Sequence, residues 1–156
     1  MAQGMNNKDM IAFAHALLKI RDDYKEFIRR FMLEIGMRTI AQTKALTPVD
    51  TGDLRDRWEL GEVVIEGGFA YVNIINSMNY ASFVEDGHIQ RSRWVPGAWH
   101  GDSFVYDPTA KTGMKLQTKW IPGQHMARIS LMEIERQLPA RYDKAFKALL
   151  ARGGLK

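Results

Sequence analysis

The chain has 156 residues, 46% hydrophobic and 26% charged, a balance that suits one folded domain with a sizeable core and excludes a disordered tail. It holds no cysteine, which excludes disulfides and thiolate metal sites. No apolar run approaches the roughly 18 residues of a membrane span, no basic-then-apolar leader is evident at the start, and a net charge of +4 spread along the chain falls short of a nucleic-acid-binding tail.

From about Lys8 to Leu46 apolar residues recur at helical spacing: Met10, Phe13, Leu17, Ile20, Tyr24, Phe27, Phe31 and Ile35, flanked by Ile11, Ala14, Leu18, Ile28 and Met32. Charges from Arg21 to Arg30 fill the opposite side. One unbroken helix of that length is well above the globular norm, so a break is expected near Arg21, Asp22 and Asp23, or else near Gly36. Pro48 biases Thr47 out of the helical region and closes the segment. A structural corner follows, built from Pro48, Asp50, Thr51, Gly52, Leu54 and Arg55, in which Asp50, Thr51 and Asp53 are N-cap candidates for the next element.

Leu54 to Leu60 fits either a short helix or the start of a strand. Glu62–Glu66 and Phe69–Asn76 are β-branched or aromatic, and Gly67-Gly68 between them signals a tight hairpin. Tyr80, Phe83 and Val84 have the spacing of a short helix that Gly87 stops. Residues 89–120 read as a long hairpin, with strands at Ser103–Tyr106 and Met114–Trp120 joined through Asp107–Gly113. A helical pattern begins at Met126, and Pro139 is placed as the first residue of a last helix ending near Arg152. The expected architecture is α+β in a single domain, 1–156: a helical segment at 8–46, strands within 54–120 including the hairpin, and C-terminal helices at 124–152 packed on a small antiparallel sheet.

No catalytic, cofactor-binding or metal-binding residue stands out. Asp50-Thr51-Gly52 spells the loop of an aspartic protease, but that loop follows an apolar strand and occurs as a pair. Here it follows a helix and occurs once, so a homodimeric protease is the weaker reading and a corner the stronger. His15, His88, His100 and His125 include no pair at helical ligand spacing. Aromatic and basic residues do concentrate: Tyr80, Glu85, His88, Arg91, Arg93, Trp94, Trp99, Phe104, Tyr106 and Trp120 form a candidate interface. A basic DNA-binding module is the alternative reading of the same set.

Three segments in register carry a family resemblance. Thr47-Pro48-Val49-Asp50-Thr51-Gly52-Asp53-Leu54 resembles a Pro-x-Asp-Thr-Gly-x-Leu corner; Tyr80-Ala81-Ser82-Phe83-Val84-Glu85-Asp86-Gly87-His88 resembles a Tyr-Ala-x-x-Val-Glu-x-Gly segment; Trp120-Ile121-Pro122-Gly123 through Arg128 resembles an aromatic-x-Pro-Gly entry into a C-terminal helix. Together they resemble the gene-product-ten-like tail-component family of lambdoid-type bacteriophages, over about residues 8 to 150. The departure is the insertion from Ile89 to Lys119, where many relatives connect more directly. The resemblance implies a non-enzymatic virion protein of the phage neck, a tail-completion or head–tail joining subunit. It would form a ring, most often sixfold, around the DNA channel, assembled in the bacterial cytoplasm. Its implied partners are copies of itself, a connector or stopper, a tail terminator or tube and the passing DNA, with no cofactor and no membrane.

Overall fold

The computed structural model describes residues 7–154. In chain order the elements are α1 (Asn7–Leu46), α2 (Asp53–Asp56), β1 (Trp58–Glu66), β2 (Phe69–Asn76), α3 (Ala81–Asp86), β3 (Gly87–Gln90), β4 (Arg93–His100), β5 (Ser103–Tyr106), β6 (Gly113–Leu116), β7 (Lys119–Pro122) and α4 (Met126–Arg152). The class is α+β, as expected. The elements fall into two compact units, residues 7–78 with 126–154 and residues 79–125.

In the first unit α1 is one helix of 40 residues, about 60 Å long, and the expected break is absent. The apolar stripe explains this, because it passes through the charged segment without interruption: Ile20, Phe31 and Ile35 are buried on one side, while Arg21 and Asp22 pair with each other in solvent on the other. Gly36 is no hinge either. It is buried, and a Cβ there would stand 2.5 Å from Leu60 Cδ1, so the missing side chain lets the β1–β2 hairpin approach the helix. That hairpin turns on Gly67 and Gly68, both at positive φ, as a two-residue loop matched to strand twist requires. Along β2 burial alternates strictly: Ala70, Val72, Ile74 and Asn76 are half-buried, and Phe69, Tyr71, Asn73 and Ile75 are exposed. A register shift between Leu60 and Val63 interrupts the ladder in β1.

The second correction concerns Pro139, which lies inside α4 instead of opening a new helix. Apolar contacts on both sides of it hold the two halves in one rod. Ile134 before the proline packs with Phe31 and Ile35, and Leu138, Tyr142 and Ala145 extend the same cluster past it. Within the α+β class, α4 takes α1 as its main partner, and the hairpin packs on α1 as well. Aromatic rings make the α1–α4 seam: Phe31 meets Tyr142 edge-on at 5.5 Å, and Phe27 lies 6.1 Å from Phe146.

In the second unit the expected pairing of Ser103–Tyr106 with Met114–Trp120 is not found. β4 lies between β5 and β6, and β3 pairs with β7 in a separate ladder. β4 was hidden because it contains Pro96 and Gly97, which argue against a central strand. The register resolves the conflict. β6 pairs with residues 93–96 of β4 and β5 with residues 97–100, so each half of β4 is paired along one edge and Pro96 sits at the changeover.

Phe31→Ala should cost about 3–5 kcal/mol of stability in urea denaturation, since it opens a cavity in the α1–α4 seam. The tyrosine pair across that seam makes a pH prediction. The Tyr24 and Tyr142 hydroxyls lie 3.0 Å apart. That hydrogen bond first, then burial and the neighbouring phenol's charge, push the Tyr142 pKa from 10.0 up to about 12. The folded state thus favours the neutral phenol, and the contribution is whole below pH 10 and lost as pH rises from 10 to about 12. Melting temperature measured across that window should fall more steeply for the wild type than for Tyr142→Phe.

Candidate assembly surfaces

The corner is anchored from the helix side by a column of threonines. Thr39, Thr43 and Thr47 follow one another at i, i+4 spacing and are all buried. Each hydroxyl donates to the carbonyl four residues earlier: Thr39 to Ile35 at 2.9 Å, Thr43 to Thr39 at 2.8 Å and Thr47 to Thr43 at 2.7 Å. Such back-bonding satisfies a buried hydroxyl inside its own helix. Ser130 does the same on α4, donating to the Met126 carbonyl at 2.8 Å. The last threonine has a second task. Its oxygen accepts the indole N–H of Trp58, itself buried, at 3.0 Å, and so ties the start of β1 to the end of α1.

Between those fixed points the corner residues divide in role. Leu54 is buried, and its carbonyl accepts the Asn76 side-chain amide at 2.7 Å. Gly52, at φ 96°, occupies the cap position of α2, where the sequence offered Asp50, Thr51 or Asp53, and the neighbouring Thr51 Oγ1 accepts the N–H of Asp53, the first residue of that helix, at 3.4 Å. The Thr51 hydroxyl also donates to Asp53 Oδ2 at 2.6 Å. Pro48 and Asp50 are exposed, and Asp50 takes no part in this network. Arg55 stands 3.6 Å from Asp56 in solvent, where an ion pair contributes little.

In the second unit, β3 and β7 form a short clamp. Tyr80 precedes α3 and its carbonyl accepts the Phe83 and Val84 N–H groups. The Glu85 carbonyl accepts the His125 N–H at 3.0 Å. His88 packs its ring 5.6 Å from that of Phe83, with Nδ1 3.4 Å from the Phe83 carbonyl. Trp120 stands opposite Ile89 in the ladder, and both are exposed. Arg91 is exposed between β3 and β4.

The sheet β5-β4-β6 separates residues that the sequence groups together. Trp99 faces Phe104 across the ladder, ring to ring at 5.4 Å. A Cβ on Gly97 would strike the Phe104 ring, and Gly97 stands opposite Tyr106, so Trp99, Phe104 and Tyr106 share one face. A Cβ on Gly113 would strike the Trp94 ring, which puts Trp94 with Lys115 on the other face. Arg93, opposite Leu116, alternates with Trp94. The aromatic and basic residues therefore make two surfaces and not one stacking platform. Trp94, Trp99 and Tyr106 are each about 60% exposed, too open for a monomer's interior side.

The threonine column was missed by the sequence reading. Its signal was present in the spacing of Thr39, Thr43 and Thr47, but a search for apolar periodicity passes over hydroxyls. Among the described residues, no group of three or more His, Asp or Glu side chains is placed to hold a metal ion, and no helix is long and apolar enough to cross a membrane.

Thr47→Val should cost about 1–3 kcal/mol in chemical denaturation, because it leaves the buried Trp58 N–H without its acceptor. Trp58→Phe in the same background should recover part of that loss, since donor and acceptor are then both gone.

The family described as "Bacteriophage HK97-gp10, putative tail-component" matches residues 8–87, from α1 through the corner and the first hairpin to the end of α3. Phage-like element PBSX protein XkdI of Bacillus subtilis (strain 168) is 36% identical over 104 residues, covering 65% of this chain and 60% of that protein. Protein YqbI of the same organism is 34% identical over 97 residues, covering 57% of this chain and 55% of its own. The chain thus spans about three-fifths or less of the length of these curated relatives. No solved structure matches. The helix, corner and hairpin described above are the matched part, and the chain belongs to this HK97-gp10-like family of structural phage tail components.

Proposed function

We propose that this chain is a tail-completion subunit of the phage neck, one of six in a ring around the DNA channel that joins head to tail. Membership of a tail-component family through residues 8–87 supports a structural role. The observation that carries the finer reading is the pair of exposed apolar surfaces on one small chain. Met10, Phe13 and Leu17 on α1, and Trp94, Trp99 and Tyr106 on the second unit, are all roughly half exposed or more. A cyclic assembly needs two different complementary surfaces per subunit, because its contacts are heterologous.

In this reading α1 mediates contacts between copies. The β5-β4-β6 sheet meets a neighbouring ring, either a connector or stopper on the head side or a tail terminator or tube on the tail side. Tyr80, Glu85, His88, Arg91 and Trp120 border that contact. Arg93 and Lys115, on the exposed sheet, are the groups offered to passing DNA. Their placement on two faces favours protein contact over a continuous nucleic-acid groove. Asp50 lies exposed at the turn, a position that does not suit a shared catalytic proton, which requires two carboxylates in a closed site.

The register supplies a clean deletion. Removing Arg93–Leu116 leaves β3 and β7 paired and joined through Arg91, Ser92, Gln117 and Thr118. The shortened subunit should keep its circular dichroism and thermal transition, yet phage carrying it should accumulate separate heads and tails in electron micrographs. Joined particles at the wild-type yield would reject the role given to the sheet. Asp50→Asn should leave joining intact.

A further inference from the structure

The start of α1 runs past the helix it packs against. Gly153, just after α4, lies beside Ile20, where a Cβ would stand 2.6 Å from Ile20 Cγ1. The α1 residues before Ile20 therefore extend beyond α4 for about 20 Å. On this overhang Met10, Phe13 and Leu17 form a stripe with Ile11 and Leu18 beside it, each 45–55% exposed. No described residue covers them.

The same unit carries a groove. A cavity of about 510 Å³ lies between α1 and α4, floored by Phe27, Phe31 and Leu149. Ala145 and Ala148 line its α4 side with small side chains. The groove follows α1 from Asp23 to Glu34, about 17 Å, whereas the stripe from Met10 to Leu18 is about 12 Å long, so the plug fits the socket. Charge is close to balanced around the groove, where Glu26 and Glu34 are already paired with Arg30 and Arg38, so the match rests on length and apolar area. Because α1 is one continuous rod, its overhang points away from its own groove and cannot fold back into it.

We infer that the overhang of one copy, residues 10–18, seats in the α1–α4 groove of the next copy as a helix-in-groove contact. This rests on the ring reading above and names the joint that closes it. Each subunit has one plug and one socket, which is the requirement for head-to-tail closure. Five half-exposed side chains offer roughly 500 Å² from the overhang, or about 1,000 Å² with the groove counted, at the low end of specific interfaces. A single joint of that size is weak, and closure, in which every copy uses both surfaces, makes it persist.

The absence of native cysteines makes cross-linking direct. Single variants Phe13→Cys or Leu17→Cys should be mixed with Ala145→Cys or Ala148→Cys under mild oxidation. Native mass spectrometry of the wild type follows self-association over the same concentrations. The expected result is a disulfide between an overhang cysteine and a groove cysteine on different chains, together with association weakened about tenfold or more by Leu17→Asp. Cross-links in the Phe13→Cys sample alone would mean overhang pairing with overhang, and would overturn the contact. Oligomers that neither cross-link in the mixture nor respond to Leu17→Asp would also overturn it, while leaving the ring itself standing. A wild type that stays monomeric at every concentration and on isolated tails would overturn both.

Discussion

The constraint that orders this molecule is the single apolar stripe of α1. A helix of 40 residues has more apolar length than one partner can cover, and here the covering is shared. The central stretch, from Ile20 to Ile35, is sealed by α4. Near Gly36 the β1–β2 hairpin comes close enough that a Cβ would displace the Leu60 side chain. The first turns are sealed by nothing among the described residues. A chain that keeps a rod rigid through two internal contacts presents its third stretch as a fixed projection, which suits a protein that works by fitting against neighbours.

The helix end needs as much control as its length. An α-helix leaves its last carbonyls unpaired, and the end of α1 leads into a corner that must set the direction of β1. Buried threonines set that direction, and they keep their own hydroxyls paired inside the helix. Their hydroxyls bond backward into the helix, and the last one also accepts the Trp58 indole. Leu54 then fixes the short α2 by burial. The corner is stiff because its polar groups are paired and its apolar anchors are buried, and this leaves Asp50 and Pro48 outside as surface residues.

The elements that local rules specify were legible in the sequence: the α1 stripe, the Gly67-Gly68 hairpin, and the short helix stopped by Gly87. What escaped was set by tertiary context. Pro139 looks like a helix start because proline suits that position, but packing by Ile134 and Tyr142 on both sides of it carries α4 through. Pro96 and Gly97 look like a loop, yet they form a strand because the paired edge changes at that point. The candidate interface was legible as a composition and not as a surface. Residue type identified Trp94 and Trp99, and only register could show that they face opposite ways.

That division of the aromatics bears on how the chain could assemble. A stacking surface for nucleic acid needs rings and cations along one continuous track. Trp99, Phe104 and Tyr106 instead make a compact patch on one face, with Trp94 alone on the other. A sheet with aromatics on both sides is suited to insertion between two protein surfaces, each supplying the burial that a monomer lacks. The overhanging helix has the same incompleteness in a different form. Both features expose apolar area at a thermodynamic cost that burial against a partner would remove, whereas the α1–α4 seam is already closed within the subunit.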